Sequence, residues 1–173
     1  MHNRVLIALL VTLSISWIAR PVAADPVADG TFVELMNTER SVAGLSPLEP
    51  YIDLVDDARI QTMAMMAAGD IYHSSNLAAV TTGWEALGEN VGYGPTVAKL
   101  HRAFMASPHH RDNILGDYDR VGVYSDVDAS GRMYVTVIFM RTQPGFEVPD
   151  LKGAERWPVA AMAGSAGFGV GVH

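Results

Sequence analysis

A nearly continuous apolar run at residues 132–140 constrains the fold more than any other feature of the sequence. Since successive side chains of a strand point to opposite faces, a strand that is apolar throughout must be covered on both faces and lie centrally in its sheet. Residues 120–127 predict a second strand. Residues 128–131 between them predict a hairpin turn, in which Gly131 can adopt a positive φ.

Apolar periodicity predicts three helices before this hairpin. Arg40 is predicted on the polar face of the first helix and Val42 on its buried face, and His101 is predicted to be a partly exposed residue of the third. Residues 73–94 contain four glycines and predict a loop. The predicted helices cover residues 29–42, 51–68 and 96–106.

The chain of 173 residues is divided into three parts. Residues 1–24 predict a cleaved signal peptide, because Arg4 precedes an apolar run and small residues end it. The alternative is a membrane anchor, but the run is shorter than the ~20 residues that a spanning helix needs. Residues 25–143 predict one domain, without a transmembrane segment, and residues 144–173 predict a flexible tail rich in Gly, Ala and Pro.

Charge and cysteine content narrow the functional classes. After removal of the predicted signal peptide, 19 acidic and 10 basic residues give a net charge of −9. This charge argues against nucleic acid as a partner, since binding to a phosphate backbone requires a basic face. The chain contains no cysteine, which excludes disulfides and a thiolate metal site. The sequence therefore predicts a secreted domain, a monomer, that its core alone stabilises.

Three separated segments supply the candidate site, which consists of His73, Glu89 and His110. The two histidines are predicted on loops that follow helices, and Glu89 on a loop between two glycines. Such a set can bind a divalent cation, zinc or magnesium, and leave a coordination position open. It can equally serve in proton transfer, because a carboxylate beside an imidazole favours the imidazolium. A third interpretation is a buried polar network that fixes the loops.

Other candidates for chemistry are weaker. Ser74 and Ser107 lie near the histidines, but no Gly-x-Ser-x-Gly motif is present, and loop serines typically close turns or cap helices. No HExxH motif occurs. Glu85 is the alternative carboxylate if Glu89 is structural. Arg111 and Asn113 are expected to organise their segment, the first by pairing with a carboxylate and the second by satisfying backbone groups.

The order of several short motifs resembles the CAP superfamily of cysteine-rich secretory, antigen 5 and pathogenesis-related proteins, and in particular its short bacterial SCP-like members. The resemblance covers residues 27–141. Each motif alone is unspecific, whereas their order and spacing together are specific. The motifs occupy residues 36–40, 44–48, 72–74, 88–91, 107–115 and 121–123.

The resemblance implies an α+β fold, a three-layer α/β/α sandwich with a central antiparallel sheet. It implies a cavity in which His73, Glu89 and His110 occupy the family's first His, one Glu and second His. Many members have a second Glu, and Ser107 stands at its position here, so the resemblance implies three of the four site residues in this chain. The residues expected to support the cavity are Asn90, Ser107, Arg111 and Asn113.

The family association implies a secreted binding module for a sterol, a fatty acid, a cell-envelope component or an extracellular partner. The alternative is a metal-assisted extracellular hydrolase that acts on peptide or envelope material, in which a bound ion would lower the pKa of water. No residue is assigned as catalytic, and whether the chain is an enzyme stays open at the level of the sequence.

Overall fold

The computed structural model describes residues 26–79 and 81–148 of the chain. The predicted signal peptide and the predicted tail beyond residue 148 lie outside the described residues. The first residues after the predicted domain boundary pack against the domain, since Phe146 lies over Gly83 and Val148 contacts a core cluster that contains Tyr51 and Leu54.

In the residues that the structure describes, four helices and four strands form the domain, together with a short 3-10 turn at Leu77–Ala79. The helices are α1 (Pro26–Val42), α2 (Ile52–Ala68), α3 (Val97–Ala106) and α4 (Pro108–Ile114). The strands are β1 (Glu49–Pro50), β2 (Trp84–Gly94), β3 (Arg120–Val127) and β4 (Met133–Thr142).

The apolar run at residues 132–140 forms most of β4, which lies between β3 and β2 in a sheet of order β1-β3-β4-β2. Both neighbours are antiparallel to β4, and the turn that joins β3 to β4 contains Gly131 at φ +82°. The short strand β1 is parallel to β3, so the sheet is mixed and not wholly antiparallel.

Helices cover both faces of this sheet, which confirms the α+β sandwich. Helices α1, α3 and α4 pack on one face over Phe139 and Val137, and α2 packs on the other over Ile138 and Met140. Helix α2 approaches β3 closely because Gly122 has no side chain; a Cβ there would lie 2.2 Å from the backbone carbon of Leu54.

The prediction of a loop through residues 73–94 was wrong for its second half, because Trp84–Gly94 forms β2. Its glycines are sites of close packing. A Cβ at Gly92 would lie 3.0 Å from the Phe104 ring, and one at Gly94 would lie 2.9 Å from Leu100. Tertiary packing against α3 therefore overrides the low strand propensity of glycine.

Three assignments of exposure were also wrong. Arg40 is buried, and its guanidinium donates hydrogen bonds to four backbone carbonyls, of which three follow α4 or end it. His101 is buried, with Nε2 3.5 Å from a carboxylate oxygen of Glu39. Val42 is 84% exposed at the end of α1. Within the described part of the chain, no helix is both long and apolar enough to cross a membrane.

Candidate functional site

The carboxylate of Glu89 ties the segment before β2 to the edge strand of the sheet. Its side chain is only 3% exposed. One oxygen, Oε1, lies 2.7 Å from Nδ1 of His73 and accepts the backbone N–H of Ser74 at 2.9 Å. The other, Oε2, accepts the Ser74 hydroxyl at 2.5 Å. Three hydrogen bonds thus satisfy a charge that would otherwise be costly to bury.

This carboxylate fixes the orientation of the His73 ring. When the ring is neutral, the proton on Nδ1 donates to Glu89 and Nε2 is left as an acceptor. The His73 side chain is 63% exposed, so the ring is accessible while one of its nitrogens is held. The arrangement resembles the carboxylate–histidine pairs that orient metal-ligating or proton-transferring imidazoles.

The neighbouring residue on β2 organises the opposite face of the strand, because adjacent side chains alternate between faces. Asn90 donates to the backbone carbonyl of His110 at 2.9 Å. Asn113 donates to the Asn90 side chain at 2.8 Å and to the carbonyl of Glu89 at 3.1 Å. The latter bond covers a carbonyl of the sheet edge and fastens α4 to β2.

His110 lies in the first turn of α4 and not, as predicted, on a loop. Its ring stacks against Phe104 at a centroid distance of 4.9 Å. Burial lowers the pKa of His110, and the charges of His73 and His109 lower it further. Its Nδ1 is buried and has no hydrogen-bond partner among the described residues. The imidazole of His110 is therefore held mainly in its neutral form near pH 7.

His73 bonds to Glu89, the backbone of His110 bonds to the adjacent Asn90, and the charge of His73 acts on His110, so both histidines border the same stretch of the edge strand. Within residues 26–79 and 81–148, no three His, Cys, Asp or Glu side chains are grouped so that they could hold a metal ion. The Glu89 oxygens already accept three hydrogen bonds. In this arrangement Glu89 orients His73 and has no free oxygen to offer a metal ion. The predicted three-ligand cation site therefore does not fit this geometry.

The remaining candidates have structural positions. Ser107 joins α3 to α4, and its backbone carbonyl accepts the N–H of Arg111. The Arg111 side chain is exposed and reaches a backbone carbonyl of Met105 at 3.5 Å, whereas we expected it to reach a carboxylate. Glu85 is exposed and forms an ion pair with Arg141 at 3.2 Å.

The contact that Ser74 makes was not predicted from the sequence. Its hydroxyl donates a hydrogen bond to Glu89 and so helps to fix that carboxylate. The adjacency of Ser74 to His73 was the available signal, because one carboxylate can accept from a side chain and from the next backbone N–H. Phe104 was placed on an apolar helix face and at the position of a Trp in the family, but its contact with the His110 ring was not predicted.

Two exposed apolar residues lie next to His73 in the sequence. Ile71 and Tyr72 precede His73 directly and are 40% and 44% exposed. Gln61 of α2 holds this segment by donating to the Tyr72 carbonyl at 2.6 Å. The exposed imidazole of His73 is thus preceded in the chain by two exposed apolar side chains, those of Ile71 and Tyr72, here named the apolar rim.

Solved structures with the same fold come from several bacteria. An outer surface protein from Borrelia burgdorferi matches with a TM-score of 0.64 at 17% identity, over 70% of this chain and 99% of that one. A cysteine-rich secretory protein from Staphylococcus aureus matches with a TM-score of 0.58 at 27% identity, over 71% of this chain. An extracellular protein with an SCP domain from Bacillus anthracis matches with a TM-score of 0.59 at 21% identity, over 67% of this chain.

The matched regions are 41% of the length of the Staphylococcus and Bacillus chains. No curated protein matches the sequence. The model of the cysteine-rich secretory protein family, CAP, matches residues 33–139, which include the three segments that carry His73, Glu89 and His110. This match covers more than half of the chain, and the chain belongs to the CAP family.

Proposed function

We propose that this chain is an extracellular binding module, and that the His73–Glu89–His110 site takes a small ligand with a polar head and an apolar body. A sterol, a fatty acid or a cell-envelope lipid has this chemistry. The observation that carries the proposal is the oriented, exposed His73 imidazole beside the apolar rim of Ile71 and Tyr72.

The polar half of the site favours recognition of a hydroxyl or carboxylate head group. Glu89 holds Nδ1 of His73, so Nε2 can accept a hydrogen bond from a hydroxyl or, when protonated, donate to a carboxylate. The apolar half supplies the affinity, because burial of exposed aliphatic and aromatic surface contributes about 25 cal/mol per Å². Ile71 and Tyr72 are the exposed apolar side chains nearest His73 in sequence.

A divalent cation is also proposed at this site, with two protein ligands instead of the three predicted. Two imidazoles suit zinc better than magnesium, which prefers oxygen ligands. In this form His73 and His110 are the residues that would hold the ion, and Glu89 would keep the His73 ring oriented. Calorimetric titration of the protein with zinc, with and without His73→Ala, tests this part independently of the lipid.

The main test is lipid capture by the folded protein. The chain is incubated with sterols, fatty acids and bacterial envelope lipids, separated from free lipid, and examined by native mass spectrometry. We expect a bound lipid in the wild type and strong loss of it in Tyr72→Ser. Ile60→Ser is the matched control, because Ile60 is an exposed apolar residue of α2 outside the rim. Equal capture by both variants, or none by the wild type, contradicts the proposal.

The alternative is an extracellular hydrolase, and the His73–Glu89 pair is the observation that favours it. A carboxylate-oriented imidazole can act as a general base toward water. In this interpretation peptide or cell-envelope material is the substrate class. Any hydrolysis should be lost in His73→Ala and retained in His109→Ala, which changes an exposed neighbouring histidine of α4. Turnover that survives the loss of both His73 and His110 contradicts it.

A further inference from the structure

A second candidate site lies where β2 ends, about 13 Å along the strand from Glu89. The turn between β3 and β4 meets the end of β2 here, and together they form an open groove of about 370 Å³. That volume falls within the range of about 300–1,000 Å³ that is typical of small-molecule sites. The groove is lined by Tyr93, Gly94, Pro95, Ser130, Gly131 and Arg132.

The guanidinium of Arg132 is held over an aromatic ring. Its central carbon lies 4.4 Å from the centroid of the Tyr93 ring. The Tyr93 ring is packed in turn against Tyr134 at 5.6 Å, and one guanidinium nitrogen of Arg132 reaches the Tyr134 hydroxyl at 3.4 Å. Stacking of this kind fixes the plane of the cation while most of its N–H groups stay directed away from the ring.

Arg132 differs from the arginines elsewhere on the sheet. Arg120 pairs with Glu49, and Arg141 pairs with Asp117 and Glu85. In the described ranges, no carboxylate forms an ion pair with Arg132. The Arg132 cation is thus pre-positioned by aromatic rings in a groove and lacks the anionic partner that a planar guanidinium binds best.

The nearest acidic residue in the turn, Asp128, is used to build the turn. Its Oδ1 accepts the backbone N–H of Ser130 at 2.8 Å, the Ser130 hydroxyl at 2.6 Å and the backbone N–H of Arg132 at 3.0 Å. These bonds lower the pKa of Asp128 and fix the backbone at Arg132. Because the Ser130 hydroxyl proton is committed to Asp128, its oxygen is left as an acceptor at the groove.

We infer that this groove binds an acidic sugar, that is, a sugar ring that carries a carboxylate. The Arg132 guanidinium can pair with the carboxylate through two parallel hydrogen bonds. Pro95 and the 46% exposed Tyr93 offer apolar surface to the C–H face of the ring. The Ser130 oxygen can accept from a ring hydroxyl. The open side of the groove lets a sugar enter as a free monosaccharide or as the end of a chain.

Binding is tested by two-dimensional ¹H–¹⁵N NMR with sodium glucuronate as the probe, at constant ionic strength. We expect saturable shifts of the backbone amides of Gly94, Gly131 and Arg132. Glucose and acetate, at the same concentration, each supply only half of the recognised chemistry and should give much weaker shifts. Absence of saturation with glucuronate overturns the inference, and acetate binding as strong as glucuronate binding overturns the sugar part of it.

Variants distinguish the contribution of the Arg132 charge from that of the Tyr93 ring that holds it. Arg132→Gln should weaken glucuronate binding roughly ten-fold or more, because a charge-assisted pair is lost. Tyr93→Leu should weaken it about three-fold by releasing the guanidinium, whereas Tyr93→Phe keeps the stacking and should bind as the wild type does. Arg102→Gln is the matched control, since it removes an exposed positive charge of α3. Equal affinity of Arg132→Gln and Arg102→Gln contradicts the inference.

The same NMR spectra show whether each variant is folded. His73→Ala should leave glucuronate binding unchanged, because that residue belongs to the other site. Loss of glucuronate binding in His73→Ala would place the sugar at the His73–Glu89–His110 site and overturn the assignment to the groove.

Discussion

Arg40 and Glu89 are both buried charges that join segments far apart in the chain, but they are satisfied in different ways. Arg40 donates only to backbone carbonyls, those of Ser46, Ile114, Gly116 and Tyr118. Glu89 accepts mainly from side chains, and one of them, His73, is largely exposed. A buried charge bonded only to backbone groups stabilises the fold. A buried charge bonded to an exposed side chain also orients a group that a ligand can contact.

The two centres meet at α4. Arg40 binds the carbonyl of Ile114 at the end of this helix, and Asn113 fastens the same helix to β2 beside Glu89. His110 belongs to α4, so its position depends on both. Arg40 should act on the site only through stability, whereas Glu89 should act on stability and on binding together.

Removal of the Arg40 guanidinium should have the largest effect. Arg40→Met leaves four carbonyls without their donor, and each unsatisfied buried group costs about 1–3 kcal/mol. Partial access of water reduces the sum, and we expect a loss of about 3–5 kcal/mol in the free energy of unfolding, measured with urea. Arg59→Met is the control, because Arg59 is exposed in its ion pair with Asp56 and its loss should cost less than about 1 kcal/mol.

A loss below about 1 kcal/mol in Arg40→Met would remove the distinction between the two centres. It would mean that water satisfies the carbonyls and that Arg40 is no more structural than Glu89.

Local signals in the sequence were sufficient to predict the elements that are fixed by residues nearby in the chain. Gly69 ends α2 at φ +68°, and the Thr96 hydroxyl caps α3 by accepting the N–H of Lys99. The β3–β4 hairpin followed from its apolar pattern and its turn. In each case the residue that fixes the conformation lies within a few positions of the residues it fixes.

The sequence could not show what depends on distant partners. Arg40 has a helix-surface pattern, but its acceptors include carbonyls 74 to 78 residues away. The glycines of β2 suggested a loop, because nothing local reveals that Phe104 and Leu100 occupy the space beside them. His73, Glu89 and His110 could be named from motif order, whereas their placement around an edge strand required the pairing of β2 with β4.

Glu89→Gln should have an intermediate effect on stability and a specific effect on His73. The neutral amide oxygen can replace only one of the two carboxylate oxygens, and at the other position the NH₂ group faces a donor. Since hydrogen bonds to a charged group contribute about 1.5–3 kcal/mol, we expect a loss of about 2 kcal/mol in the free energy of unfolding. Glu85→Gln, at an exposed carboxylate, is the control.

Binding measured on the same variant sharpens the comparison. If Glu89 orients His73 for a ligand, Glu89→Gln should also lower lipid capture relative to Arg40→Met, when both are measured well below their unfolding transitions. Lower stability with unchanged capture would instead favour the interpretation of Glu89 as a purely structural network.

The smallest effect concerns pH. Burial keeps the pKa of His110 below the value of 6.5 that the residue has when unfolded, so the unfolded chain binds more protons in the interval between the two values. The contribution of His110 to stability is therefore present above pH 6.5 and is lost as the pH falls toward the folded pKa.

His110→Gln removes this contribution, and the loss of stability between pH 7.5 and pH 5.5 should be smaller in the variant than in the wild type. Because the ring is only partly buried, we expect a difference below about 1 kcal/mol. His109→Gln removes one of the charges that lower the pKa of His110, so it should reduce the pH dependence less than His110→Gln does. An unchanged slope in His110→Gln would show that the His110 site tolerates the imidazolium.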